Sequence, residues 1–394
     1  MRKQNLIFVC SFFFAMGHNT LNFSLIYRLT DMFSFNPGQV GTFIALGQLF
    51  YFLGCTIYHR FGSAANPAKI IPFSSAVVLL ASIPLGFVRV LAPAYASFWL
   101  LQLASSLFWP PVTAWLTEGL SGNELSKKIS YFNRSWMAAL IIAPPIAGFL
   151  YRWNSDINFF VISLSFLTNV LLIFWIRRSS KTAISKKESV GTPVEPLNTE
   201  KHNPAPSKQS PKLDLYRYVA WVSFFCSIMF AALLTTVVPL HIRDSLGYTE
   251  STAGWVLFLR CVIGFIAFAI LAKFSVWHFN FRWIIILQMG LAFCTLLYIV
   301  GGSFITFFFV TAVLYGFIGA ACVTNSVFYS RATGKNPKKN LALHEMFLCL
   351  GNAAGAAGGG LLYQQFGLTG VSLTLFLLLS IGIGVFILIT KSNR

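Results

Sequence analysis

The 394-residue sequence predicts an all-α membrane protein with twelve transmembrane helices, arranged as two six-helix bundles related by pseudo-two-fold symmetry. Three observations carry this expectation. Only 10% of the residues are charged and 56% are hydrophobic, with a mean hydropathy of +0.70, whereas soluble domains are about 25% charged and about 45–50% apolar. Apolar runs of the roughly 20 residues needed to cross about 30 Å of hydrocarbon recur along the whole chain. One polar, proline-rich stretch divides these runs into two sets of six.

The first run, near 6–29, follows Met1, Arg2 and Lys3 and has no A-x-A cleavage pattern after it, so it reads as a retained helix. Runs near 37–58, 69–89, 94–117, 131–151 and 157–176 complete an N-terminal bundle over residues 1–176. Residues 177–215 contain SKKES and TPVEPLNTEKHNPAPSKQSPK. Such a composition cannot bury enough surface to offset its ordering entropy, which predicts a flexible cytoplasmic linker. Runs near 216–240, 251–273, 282–302, 304–329, 341–363 and 368–390 form a C-terminal bundle over residues 216–394.

The charges orient these runs. Of 29 Lys and Arg, 24 fall in the segments on the side of the termini, four (Arg28, Arg89, Arg152, Arg243) in the opposite loops, and one, Arg260, inside a run. Lys and Arg near the span ends stay on the cytoplasmic side. The bias therefore predicts a multi-pass protein of the cell's inner membrane with both termini cytoplasmic. The formal charge of +18 has this membrane meaning and excludes nucleic acid as a partner. The seven cysteines lie inside the runs with no paired spacing, so neither a disulfide framework nor a zinc site is expected, and no cofactor is implied.

Adding 212 to residue numbers in the first half aligns Ala147-Gly148-Phe149-Leu150-Tyr151 with Gly359-Gly360-Leu361-Leu362-Tyr363. Ala139 and Ala143 then meet Gly351 and Gly355, and Gly122 and Lys127 meet Gly334 and Lys339 in the preceding loops. A duplicated six-span unit explains the shared spacing. Parallel repeats about an axis along the membrane normal are a transporter architecture, with the substrate held near the midplane between them.

Across nearly the whole chain outside the linker, the sequence resembles the major facilitator superfamily. Its loop motif between spans two and three, Gly-x-x-x-Asp-Arg-x-Gly, falls on Cys55-Thr-Ile-Tyr-His59-Arg60-Phe-Gly62, which keeps the Arg and the second Gly. The proton-coupling pattern of span four, Arg-x-x-Gln-Gly, falls on Gln102-Leu-Ala-Ser105-Ser106 and lacks its Arg. The antiporter pattern of span five, Gly-x-x-x-Gly-Pro-x-x-Gly-Gly, falls on Ala139-Leu-Ile-Ile-Ala143-Pro144-Pro145-Ile-Ala147-Gly148, with Ala for three of the glycines. The resemblance implies the twelve-helix fold, transport by alternating access, and a cavity lined by spans one, four, seven and ten.

Arg260 stands near the bilayer centre in span eight, where no Asp or Glu lies at comparable depth in any span. A guanidinium there is costly unless it faces water or a partner. Its planar fork suits a carboxylate or phosphate of a substrate, and some organic-anion carriers of the superfamily also place an Arg in this span. Hydrogen bonding between the halves is the other reading of Arg260. In span one, His18 and Asn22 share a helix face and Asn19 lies beside them, which serves either a substrate or an interhelical clamp. Gln102 and Trp109 in span four, with Tyr315 and Asn325 in span ten, complete the candidate binding set. The resemblance makes Arg60 and Glu345 a candidate gating pair, with Glu345 equally a candidate proton carrier or a solvated acid at a helix start.

These residues point to a secondary active transporter of a small or amphipathic solute, with an organic anion favoured. No Walker A motif occurs, so ATP does not power it directly. The expected partners are a small-molecule substrate, the lipid bilayer and a coupling ion, proton or sodium, with the chain acting as a monomer. A proton-coupled drug or sugar efflux carrier remains the alternative within the class. Outside it stand a polytopic membrane enzyme and a transport-dead sensor.

Overall fold

The computed structural model describes residues 3–61, 66–87, 89–120, 122–189, 211–333 and 336–392, and these residues contain helices and connections but no strand. The helices are α1 (Lys3–Phe33), α2 (Pro37–Phe61), α3 (Pro67–Phe87), α4 (Leu91–Ser105), α5 (Trp109–Leu116), α6 (Gly122–Trp153), α7 (Ser155–Ser189), α8 (Pro211–Leu240), α9 (Glu250–Leu271), α10 (Phe281–Gly301), α11 (Ile305–Ala332) and α12 (Pro337–Ser392). A short π turn, His241–Ser245, extends α8.

Two local features convert these helices into twelve crossings. Helix α12 has 56 residues, roughly 84 Å at 1.5 Å per residue, far more than one bilayer needs. Gly367 breaks it with φ 64° and ψ −170°, a backbone open to glycine, and the chain crosses twice. Conversely, α4 and α5 form one crossing with a break at 106–108. Pro110 and Pro111 have no N–H to offer the carbonyls one turn back. The backbone tightens there, with Leu107 N–H on Ala104 O at 3.0 Å and Phe108 N–H on Ser105 O at 3.1 Å.

Three helix starts are set by asparagine followed by proline. At α2 the backbone and side chain of Asn36 bond reciprocally with Gln39 at 2.9 Å each, with Pro37 in the first turn. Asn66 caps α3 through the Ala68 N–H at 2.9 Å, and Asn336 caps α12 through the Lys339 N–H at 3.2 Å. The cap accepts an orphan N–H, and proline costs nothing where no donor is needed.

An even number of crossings puts both termini on one face, termed the terminal face here, opposite a distal face. Helices α7 and α8 continue to Ser189 and from Pro211, so both ends of the stretch expected as linker are helical. Residues 190–210 of that stretch, Gly62 of the loop motif and Gly334 of the repeat lie outside the described residues.

The halves meet along two helix pairs, α2 with α12 and α6 with α9. Small residues permit the approach. Gly41 of α2 lies against the Ala356 carbonyl and Gly360 of α12, and a Cβ on Gly254 of α9 would stand 2.8 Å from the Pro144 carbonyl oxygen of α6. The small-residue run of α12 divides its duty. Gly351 and Gly355 pack on Phe225, Ile228 and Met229 of α8 in the same half, while Ala356 and Gly360 face the other half.

Candidate functional site

Between these helix pairs lies a cavity of about 300 Å³. Helix α1 supplies its polar wall, because Ala15, His18, Asn19, Asn22, Phe23 and Ile26 recur at three and four residues and so share one face. Asn19 gives its amide N–H to Ala15 O at 2.8 Å, which leaves its carbonyl oxygen for the cavity. Packed beside α1, helix α6 presents Asn133, Trp136, Met137, Leu140 and Pro144 at the same helical spacing. Gln48 and Tyr51 of α2 and Trp109 of α5 close that half.

Arg260 of α9 supplies the cavity's guanidinium. Its Cζ lies 5.0 Å from the centroid of the Tyr315 ring, and the Tyr315 hydroxyl donates to Ser227 O at 2.7 Å. Tyr315 is therefore pinned to α8 and offers a fixed ring face on which the guanidinium rests. No carboxylate among the described residues lies within ion-pair distance of Arg260. A guanidinium in a cavity between two bundles with no acid at ion-pair distance is free to form charge-assisted hydrogen bonds to a group that enters the cavity.

Both faces are latched across the halves. On the distal side Arg243 reaches Asp31 at 3.0 Å and Thr30 Oγ1 at 3.1 Å, with its Cζ 4.9 Å from the Tyr27 ring. Within the N-terminal half, Tyr151 donates its hydroxyl to Asp31 at 2.9 Å. On the terminal side Ser130 donates to Phe268 O at 2.7 Å, Ser126 Oγ meets His278 Nε2 at 3.1 Å, and Arg331 donates to Thr117 O. The cavity lies between these two sets of contacts.

The structure thus gathers His18, Asn19, Asn22, Trp109, Tyr315, Arg260 and Glu345 at the cavity wall. Gln102 and Asn325 are not in it. They are 0% and 2% exposed, packed between helices of their own halves, because a polar side chain in an apolar helix can face a neighbouring helix as readily as a cavity. Arg60 and Glu345 do not pair with one another in this structure. Arg60 is exposed at the end of α2 and lies over Phe61, with 5.5 Å from its Cζ to the ring centroid. Glu345 is 8% exposed and accepts the Tyr51 hydroxyl at 2.9 Å. Asn133, Gln48 and Tyr51 were not singled out from sequence. The two amides could have been found as polar residues on otherwise apolar faces, whereas Tyr51 carries no distinguishing signal.

A twelve-crossing pair of six-helix bundles around a midplane cavity is the architecture of a carrier rather than of a membrane enzyme. The sequence pattern of the Major Facilitator Superfamily matches residues 7–334, and the chain belongs to that superfamily of membrane transporters. No curated protein sequence matches the chain. Among solved structures, the human organic anion transporter MFSD10 (TETRAN) is similar with a TM-score of 0.70 and 14% identity, over 98% of this chain and 99% of that one. At this identity the likeness is one of fold.

Proposed function

We propose that this protein is a secondary active transporter that carries a small or amphipathic organic anion by alternating access, with the acidic group of the guest held by Arg260. The observation that carries the reading is the Arg260 guanidinium in the cavity wall, stacked on a pinned tyrosine and without an acidic partner. The amides of Asn19, Asn22 and Asn133 suit hydroxyl or amide groups on the guest, and Trp109 and Trp136 suit an apolar body. The description of the structural neighbour as an organic anion transporter agrees with this reading. The Lys and Arg distribution supports a cytoplasmic terminal face in the inner membrane, and a complete cavity within one chain supports a monomer.

The test is uptake of labelled carboxylates, sulfonates and phosphates by proteoliposomes. A fork donating two charge-assisted hydrogen bonds of about 1.5–3 kcal/mol each predicts roughly 100- to 20,000-fold weaker binding in Arg260→Ala. Arg260→Lys keeps the charge but not the fork, and falls between the two. Undiminished anion uptake by Arg260→Ala refutes the proposal.

A further inference from the structure

Among the described residues, Glu345 is the one acidic side chain in the cavity wall, and anion binding at Arg260 does not use it. Helix α12 starts at Pro337, so Glu345 stands two turns inside the helix and is almost fully buried. Its Oε2 accepts the hydroxyl of Tyr51, itself 4% exposed, at 2.9 Å. Tyr51 belongs to α2, so this hydrogen bond joins the two halves of the molecule.

No Lys, Arg or His among the described residues lies within ion-pair distance of Glu345. His344 is committed elsewhere, with Nδ1 on Ser326 Oγ at 2.7 Å and its ring stacked on Phe224 at 4.4 Å. The titratable neighbours are Tyr51 and Cys55 from α2 and Cys349 one turn along α12. Helices α5 and α8 bring the uncharged Trp109 and Phe224, and α11 brings no charged side chain to the cavity wall. The same cavity wall holds His18 and Arg260, the latter resting on Tyr315.

A charge on this carboxyl has no ion-pair partner among the described residues, and its burial makes that charge costly. A charged Glu345 also repels an anion held in the same small cavity, and a neutral one does not. Occupation of the cavity by an anion and a proton on Glu345 therefore favour one another. A sodium ion needs several oxygen ligands, and Glu345 has one polar partner.

We propose that Glu345 is the proton-carrying site of this transporter and that anion and proton cross together, with the Tyr51 hydrogen bond tying the loaded carboxyl to the closure of the two halves. The coupling rests on the anion reading above, while the proton site does not. One proton is taken from one aqueous phase, held as the carboxyl O–H, and released to the other phase. A monovalent anion then moves without net charge.

Two measurements separate these claims. In purified protein without substrate, pH-difference infrared spectroscopy is expected to show a protonated-carboxyl band that titrates in wild type and is missing in Glu345→Gln. Loss of no band in that variant overturns the proton site. In proteoliposomes holding a pH-sensitive dye, inward gradients of 2-naphthalenesulfonate and of each other panel anion are applied; sulfonates stay ionised and do not cross lipid unaided. Anion entry is expected to acidify the lumen, and an acidic exterior to raise accumulation at least several-fold. Glu345→Gln is expected to lose both effects yet still exchange internal for external anion. Tyr51→Phe is expected to keep the infrared band, shifted, and to slow coupled uptake several-fold. Accumulation driven by a pH gradient in Glu345→Gln, or by a sodium gradient without proton movement in wild type, overturns the coupling. A titrating Glu345 band with no anion carried by wild type overturns the anion reading and the co-transport, and upholds the proton site.

Discussion

Replacing Arg243 with alanine is expected to open the distal face. Three contacts to α1 are lost together: the ion pair to Asp31 at 3.0 Å, the bond to Thr30 at 3.1 Å and the ring contact with Tyr27 at 4.9 Å. Asp31 is 48% exposed, so water screens the pair and it contributes about 0.5 kcal/mol. The Thr30 bond contributes about 1 kcal/mol and the ring contact about 0.5 kcal/mol. Together these come to about 2 kcal/mol, or roughly 25-fold in the ratio of closed to open molecules. The cluster of Asp31, Asp244 and Glu250 then has no cation among its present contacts, which pushes in the same direction. Asp31→Asn leaves Arg243 its Thr30 and Tyr27 contacts and is expected to shift the ratio only a few-fold. Pulsed EPR between spin labels at Val90→Cys and Phe304→Cys reads the distal opening, since both sites are exposed and belong to different halves. An unchanged distance distribution in Arg243→Ala refutes the latch.

Two further outcomes follow from the same geometry. Gly254→Val places a side chain against the Pro144 carbonyl, so the distal face cannot close, and steady-state transport is expected to fall at least tenfold with expression retained; full transport contradicts the close α6–α9 approach. His278, in the connection after α9, is held below its ordinary value of 6.5 by desolvation against Trp277 and Phe328. The closed terminal face therefore carries a neutral ring, and release into water restores the ordinary value. Its contribution to closure is complete above about pH 6.5 and is lost as the pH falls through the folded value. Labels across the terminal face are expected to separate more at pH 5 than at pH 8, with His278→Phe flattening that dependence. An equal pH dependence in the variant assigns it to other groups.

Arg260 was legible because a charge within a 22-residue apolar helix has few affordable places, and a cavity is one of them. The α1 face was legible because His18 and Asn22 share a helical period. The burial of Glu345 was not legible, because hydropathy starts its helix near the end of the polar Lys338-Lys339 stretch, whereas the Asn336 cap and Pro337 start it earlier and carry Glu345 two turns inward. The exposure of Arg60 was not legible for the converse reason: α2 runs through Phe61 and holds its last turn in the open.

The number of crossings, their division by the polar stretch and their charge asymmetry were settled by composition and order along the chain, because the hydrocarbon thickness and the cost of unpaired polar groups act on each segment separately. Which way each helix turns its polar residues was decided only when the helices packed. Gln102 and Asn325 went to helix contacts, His18 and Asn133 to the cavity, and Tyr51 met Glu345 from 294 residues away. Rotation about a helix axis is fixed by the neighbours that glycine and alanine admit, and those neighbours are distant in sequence.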